Sequence, residues 1–190
     1  LLIMKFINKT LTEISENFNN LAENSVPQIE EASKLILKCL QNGGKIMFCG
    51  NGGSAADAQH LSAELVGRYM KNRRPLASIA LTTDTSIITA VSNDFSFNHI
   101  FSRQVEAIGN EGDILYAIST SGKSTNVINA INVAKKLEIK TLGITGNDDS
   151  GFREICDMTI SVPASRPDRI QEMHIAIGQI LCEILEAELC

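Results

Sequence analysis

The stretch Cys49-Gly50-Asn51-Gly52-Gly53-Ser54-Ala55-Ala56-Asp57-Ala58-Gln59-His60-Leu61-Ser62-Ala63-Glu64-Leu65-Val66-Gly67-Arg68 decides how this chain is read. It closes an apolar run, Lys45 to Cys49, breaks in glycines, and resumes at helical spacing. A buried strand that ends in a glycine-rich turn and feeds a helix N-terminus makes a site for an anion. Glycine lets a ligand approach the backbone, and the first helical N–H groups have no acceptor inside the helix. His60 and Glu64 are four residues apart and share one helix face about a turn beyond that site. An anion cradle with a base or metal ligand beside it points to chemistry on a phosphorylated small molecule.

Outward from this stretch, Leu76–Leu81, Asp113–Ile118, Lys140–Thr145 and Met158–Val162 read as further strands. Ala55–Met70, Ile87–Val91, Asn98–Ile108, Ser124–Leu137 and Asp168–Glu188 read as helices. Strands that are apolar throughout and alternate with helices imply a parallel sheet covered on both faces. Ahead of them, Leu11, Ile14, Phe18 and Leu21, then Ile29 to Leu40, recur at helical spacing. Pro27 marks the first turn of a second helix and Gly43-Gly44 ends it. The expected architecture is one domain over residues 1–190. A leading helical pair (4–42) precedes a three-layer, doubly wound α/β sandwich with a five-stranded parallel sheet (45–190). Ligands in such sheets bind at the carboxyl ends of the strands, here the loops after Cys49, Leu81, Ile118 and Thr145.

At 190 residues the chain is long enough for a full core, and its net charge of −5 comes with no block of lysine or arginine. General affinity for nucleic acid or for anionic membranes is thereby excluded. The cysteines (Cys39, Cys49, Cys156, Cys182, Cys190) are odd in number, form no CxxC pair and sit mostly in apolar runs, as reduced thiols of a cytoplasmic protein do. The opening Leu1–Ile7 is too short for a signal segment, and no run approaches the ~18 apolar residues of a spanning helix. Met4 is a candidate start, with Leu1–Ile3 a candidate leader.

A second loop repeats the topology of the first. Ser119-Thr120-Ser121-Gly122-Lys123-Ser124 follows a strand and opens a helix, offering hydroxyls and a helix dipole to phosphate oxygens. Ser124 alone reads better as a helix cap, whereas the whole cluster reads better as a phosphate loop. The GxxxxGK[ST] spacing of a nucleoside-triphosphate loop is absent.

Together, Cys49–Arg68, Asn93-Asp94-Phe95-Ser96-Phe97-Asn98, Ser119–Ser124 and Arg169-Ile170-Gln171-Glu172-Met173-His174 resemble the sugar isomerase (SIS) domain family, and within it the phosphoheptose isomerases. The resemblance spans nearly the whole chain. It implies the same α/β fold, a homotetramer with active sites between subunits, and conversion of sedoheptulose 7-phosphate to D-glycero-D-manno-heptose 7-phosphate for bacterial surface glycans. Carried onto this sequence, it implies a phosphate held by Ser119, Thr120, Ser121 and Ser124. The sugar would meet Asn51, Gly52, Gly53, Ser54, Asn93 and Asp94. One zinc per subunit would sit on His60, Glu64, Gln171 and Gln179.

Moving a carbonyl between C2 and C1 needs a base for a carbon-bound proton and an acid or Lewis acid at the oxygen. Glu64 suits the base, although a glutamate seen alone is usually a solvated helix residue. Imidazole and carboxylate at i, i+4 suit a divalent metal but are two ligands, too few for zinc, and Gln171 adds only a weak amide oxygen. Bottom-up, a metal and a metal-free pair stand equally open. The sequence departs from the family at Gln179, where a histidine is usual; glutamine has no titratable proton and binds zinc poorly. His174 reads as a packed or interface histidine. Asp168-Arg169 reads as an N-terminal carboxylate with a surface arginine, or else as a substrate contact. Met158, Met173 and Phe95 read as core or interface filler. The departure at Gln179 keeps two alternatives open: a non-catalytic scaffold that binds the replication initiator, and a sensor that binds a sugar phosphate without converting it.

Overall fold

The computed structural model of the chain describes residues 1–147 and 151–190. Five parallel strands, β1 (Ile46–Gly50), β2 (Ser78–Ala80), β3 (Ile114–Ile118), β4 (Lys140–Thr145) and β5 (Met158–Ser161), lie in the order β2-β1-β3-β4-β5. Every residue of β1 and β3 is buried, which is why both read as unbroken apolar runs. Successive side chains of a strand point to opposite faces. Ile46, Phe48, Ile114, Tyr116 and Ile118 therefore join one core cluster, and Met47, Cys49, Leu115 and Ala117 the other.

The first cluster is covered by α2 (Val26–Gln41), α3 (Gly53–Val66) and α8 (Pro167–Leu189); the second by α4 (Thr85–Asp94), α5 (Ser102–Ile108), α6 (Thr125–Lys136) and the short α7 (Phe152–Ile155). A 3₁₀ turn, Phe97–His99, joins α4 to α5. The leading helix α1 (Leu2–Asn24) buries only Leu21 fully. Its C-terminal part packs on the body through Phe18 and Leu21.

Chain order reverses between β1 and β3, with β2 on one side and β4 and β5 on the other. Gly50 is in register with Ile118, so both strands end at one level and their loops open side by side at this switch point. The opposite edge is pinned by two aspartates. Asp113 accepts from the Lys45 and Asn110 N–H groups at 2.9 and 2.8 Å. Asp157 accepts from the Thr141 N–H and hydroxyl at 2.9 and 2.7 Å and from Lys140 Nζ at 3.0 Å. Burial pushes the Asp157 carboxyl up, but the Thr141 and Lys140 interactions outweigh it and hold it below the usual carboxylate range.

The layers and strand count agree with the sequence reading; several boundaries differ, for physical reasons. The helix expected over Ala55–Met70 stops at Val66, because Gly67 caps it and residues 69–71 give their N–H groups to Glu186. The helix expected over Asn98–Ile108 is broken into the 3₁₀ turn and α5. β2 keeps three residues of the expected Leu76–Leu81. Four-residue α7 is too short to show a helical period.

Candidate active site

The glycine turn after β1 delivers what its sequence promises. Ser54 N–H and Ala55 N–H close onto Asn51 O and Gly52 O at 3.0 Å each, starting α3 without any side-chain cap. Beside this start lies Gln171 of α8: a Cβ on Gly53 would fall 2.6 Å from its amide and push that side chain aside. Two turns on, Leu61 packs on Gly178, where an added Cβ would come within 2.5 Å of its side chain. These contacts run α3 and α8 alongside each other, and Gln179 falls on the stretch of α8 level with His60.

Over β3, the hydroxyl loop is held open. Ser119 N–H bonds to Ile144 O at 3.1 Å, and Gly122 N–H returns to Ser119 O at 3.2 Å. Ser124 is the N-cap residue of α6, but its hydroxyl does not cap the helix; it meets the Ser119 hydroxyl at 3.1 Å. That corrects the reading of Ser124 as a simple cap and leaves N–H groups of the first turn of α6 for a ligand. Thr120 and Ser121 also line a cleft of about 410 Å3 with Gly146, Asn147 and Ser165. A larger cleft of about 500 Å3 follows the edge strand β5 and contains none of the expected site residues. The loop after β4, also expected to face the ligand, is described only as far as Asn147.

One residue that ties the two loops was missed in the sequence. Asn51 and Asn126 exchange side-chain hydrogen bonds at 2.8 and 2.9 Å, clamping the β1 loop to the first turn of α6. The only signal for it was an asparagine in the turn after a hydroxyl loop. Asn93 and Asp94 are exposed at the end of α4 and bond to each other at 2.9 Å. Among the described residues no hydrogen bond joins them to Asn51 or to Ser119–Ser124. The neighbouring 3₁₀ turn is tied to α6 by Asn129 Nδ2 donating to Asn98 O at 3.0 Å.

His60 Nε2 and Glu64 Oε1 lie 3.0 Å apart, with side chains 48% and 22% exposed. Asp57, one turn before His60, has a buried Oδ2 with no hydrogen bond; burial pushes its carboxyl up to about 6, with the charge of His60 opposing. His174 is on the buried face of α8, and burial pushes its imidazole down to about 4 against the nearby Thr145 backbone. It is a packed, neutral histidine at physiological pH. Arg169 is buried rather than superficial, paired with Asp168 and Glu172 at 3.1 and 3.0 Å, and the N-cap of α8 is Arg166 rather than Asp168.

Residues 11–146 match the family model of the SIS domain. A phosphoheptose isomerase of Rhodospirillum rubrum is 54% identical over 164 residues, covering 86% of this chain and 87% of that protein. The chain belongs to the phosphoheptose isomerases of the SIS-domain family. A second such isomerase, from Nitratiruptor, is 49% identical over 97% of this chain and 98% of its own length. The solved phosphoheptose isomerase of Neisseria gonorrhoeae superposes with a TM-score of 0.92 at 40% identity, covering 97% of this chain and 99% of that one. The structural match thus includes α8, which lies beyond the residues matched by the SIS model and carries Gln171 and Gln179.

The zinc that the family resemblance implies is tested by the donors on hand. His60 and Glu64 are engaged with each other, and among the described residues no group of three or more His, Cys, Asp or Glu could hold a metal. Gln171 lies beside Gly53, at the far end of α3 from Glu64, and Gln179 offers only an amide oxygen, a weak donor to a borderline-soft cation. This donor set does not fit a zinc centre.

Proposed function

We propose that this chain interconverts sedoheptulose 7-phosphate and D-glycero-D-manno-heptose 7-phosphate in the cytoplasm, supplying a heptose phosphate for surface-glycan synthesis. The observation that carries the reading is the paired cradle at the β1/β3 switch point. The Asn51–Ser54 turn and the Ser119–Ser124 loop are locked together by Asn51 and Asn126, with the Gln171 amide at the start of the same helix that bears Glu64. Hydroxyls and helix N-termini suit a phosphate dianion, while Asn51 and Gln171 present amides suited to sugar hydroxyls.

In this reading Glu64 takes the proton from C1 of the ketose. The C–H electron pair becomes the C1=C2 bond, and the C2 oxygen gains a proton to give an enediol. Return of the carbon-bound proton to C2, with loss of the O1 proton, completes the aldose. His60 orients Glu64 through their 3.0 Å contact and can carry the second proton between the two oxygens.

The enzyme works as an assembly of copies, a homotetramer by family resemblance. Supporting this, α1 leaves Leu2, Ile3, Phe6, Ile7 and Leu11 between 48% and 84% exposed along one side of the helix.

Incubating the protein with sedoheptulose 7-phosphate and following the aldose C1 proton by NMR tests the function. Turnover is expected, and Glu64→Gln should lower kcat by roughly 100-fold or more, the range of a lost general base. Binding without product in the unaltered chain would replace this reading by the sensor. Capture of the replication initiator without turnover would replace it by the scaffold.

A further inference from the structure

Arg73 belongs to none of the motifs above, yet it is bound to the backbone of Glu64. Its Nη2 donates to Glu64 O at 2.8 Å, its Nη1 to Leu65 O at 2.8 Å, and its Nε to Glu186 Oε2 at 3.0 Å. Glu186, on the last turns of α8, also accepts from the N–H groups of Tyr69, Met70 and Lys71 at 3.1, 2.8 and 2.5 Å. The two side chains are 2% and 3% exposed. We infer that Arg73 and Glu186 are a positioning pair that fixes the last turn of α3 and, with it, the Glu64 carboxylate.

The physical need is plain. The last carbonyls of a helix have no partner within it, and a helix end so placed frays unless something accepts the task. Arg73 takes two of those carbonyls with a planar fork and puts a cation at the negative end of the α3 dipole. Through Glu186 that fork is anchored to α8. Helix α3 is therefore fastened to α8 along its length: at Gly53 by Gln171, at Leu61 by Gly178, and at its last turn by this pair. Glu64 is in that last turn. A general base must be held to within about half an ångström of its productive place, and rotation of the final turn would move Glu64 first.

Stability alone is a poor reason for such a pair, because buried ion pairs commonly contribute little net stability over apolar replacements. Here the direction of the bonds matters: a lysine keeps the charge but cannot reach Glu64 O, Leu65 O and Glu186 together. This role rests on the reading of Glu64 as the base.

The test compares Arg73→Lys and Glu186→Gln with the unaltered chain and with Asp157→Asn, which loosens the far edge of the sheet without touching α3. Rates with sedoheptulose 7-phosphate are divided by the number of binding-competent sites, titrated with the non-isomerisable sorbitol 6-phosphate. Fewer folded molecules then leave the figure unchanged. A loss of tenfold or more in kcat per site is expected in whichever of the two variants folds, with KM within twofold, while Asp157→Asn keeps the unaltered value. A kcat per site within twofold of the unaltered chain in a folded variant overturns the inference and leaves the isomerase reading standing. No turnover by the unaltered chain overturns the reading of Glu64 and the positioning role with it.

Discussion

At the scale of single residues, Gln179 sets what the last helix can contribute to chemistry. Its amide neither gives up nor takes a proton at working pH, and it does not compete with imidazole for zinc. His174, five residues earlier, does not substitute for it, since burial holds its ring neutral and away from solvent. Restoring an imidazole at this position supplies the missing third strong donor beside His60 and Glu64. Gln179→His should raise zinc affinity roughly tenfold or more, the direction set by exchanging an amide oxygen for a ring nitrogen on this cation. Elemental analysis after dialysis against a chelator measures it directly. The unaltered chain is expected to keep well below one zinc per subunit, and one retained per subunit would show that its donors suffice.

At the scale of elements, helix α6 begins in a way its sequence does not reveal. A serine at an N-cap usually contributes about 1 kcal/mol through its side chain. Here the Ser124 hydroxyl is turned to Ser119, so the cap term is missing and the hydroxyl faces the cradle. Ser124→Ala should therefore shift stability by less than about 0.5 kcal/mol, below the usual cost of losing a cap, while KM for a sugar phosphate rises several-fold. Urea unfolding and steady-state kinetics on one preparation separate the two effects, and a full capping loss with unchanged KM would refute the assignment. The same contrast explains what was legible. β1 and β3 are buried on both faces, and such strands must be apolar at every position. The glycine turn and hydroxyl loop announce a phosphate site because only short-range rules are needed. The Asn51–Asn126 tie and the end of α3 were not legible. Each depends on a partner brought close only by folding, 75 residues away for Asn126 and 113 for the Arg73–Glu186 bond.

At the scale of the molecule, α1 is the element whose sequence and surroundings disagree. Ile3, Ile7, Leu11, Ile14, Phe18 and Leu21 recur at helical spacing, yet only the last two pack on the core. The stripe that seats the helix thus continues beyond the body it is seated on, and its free end leaves Ile3, Ile7 and Leu11 exposed. Copies of the chain that cover this end would remove it from water at roughly 25 cal/mol per Å2 of apolar area. Folding would then be linked to association, and the unfolding temperature should climb with protein concentration. Replacing Ile7 and Leu11 together by glutamate places charge on the stripe without touching the sheet. Light scattering should then show a smaller species, its unfolding temperature should lose most of its concentration dependence, and far-UV dichroism should remain that of an α/β protein. A solitary subunit at all concentrations of the unaltered chain would sink the assembly and leave the exposed half of α1 without a role.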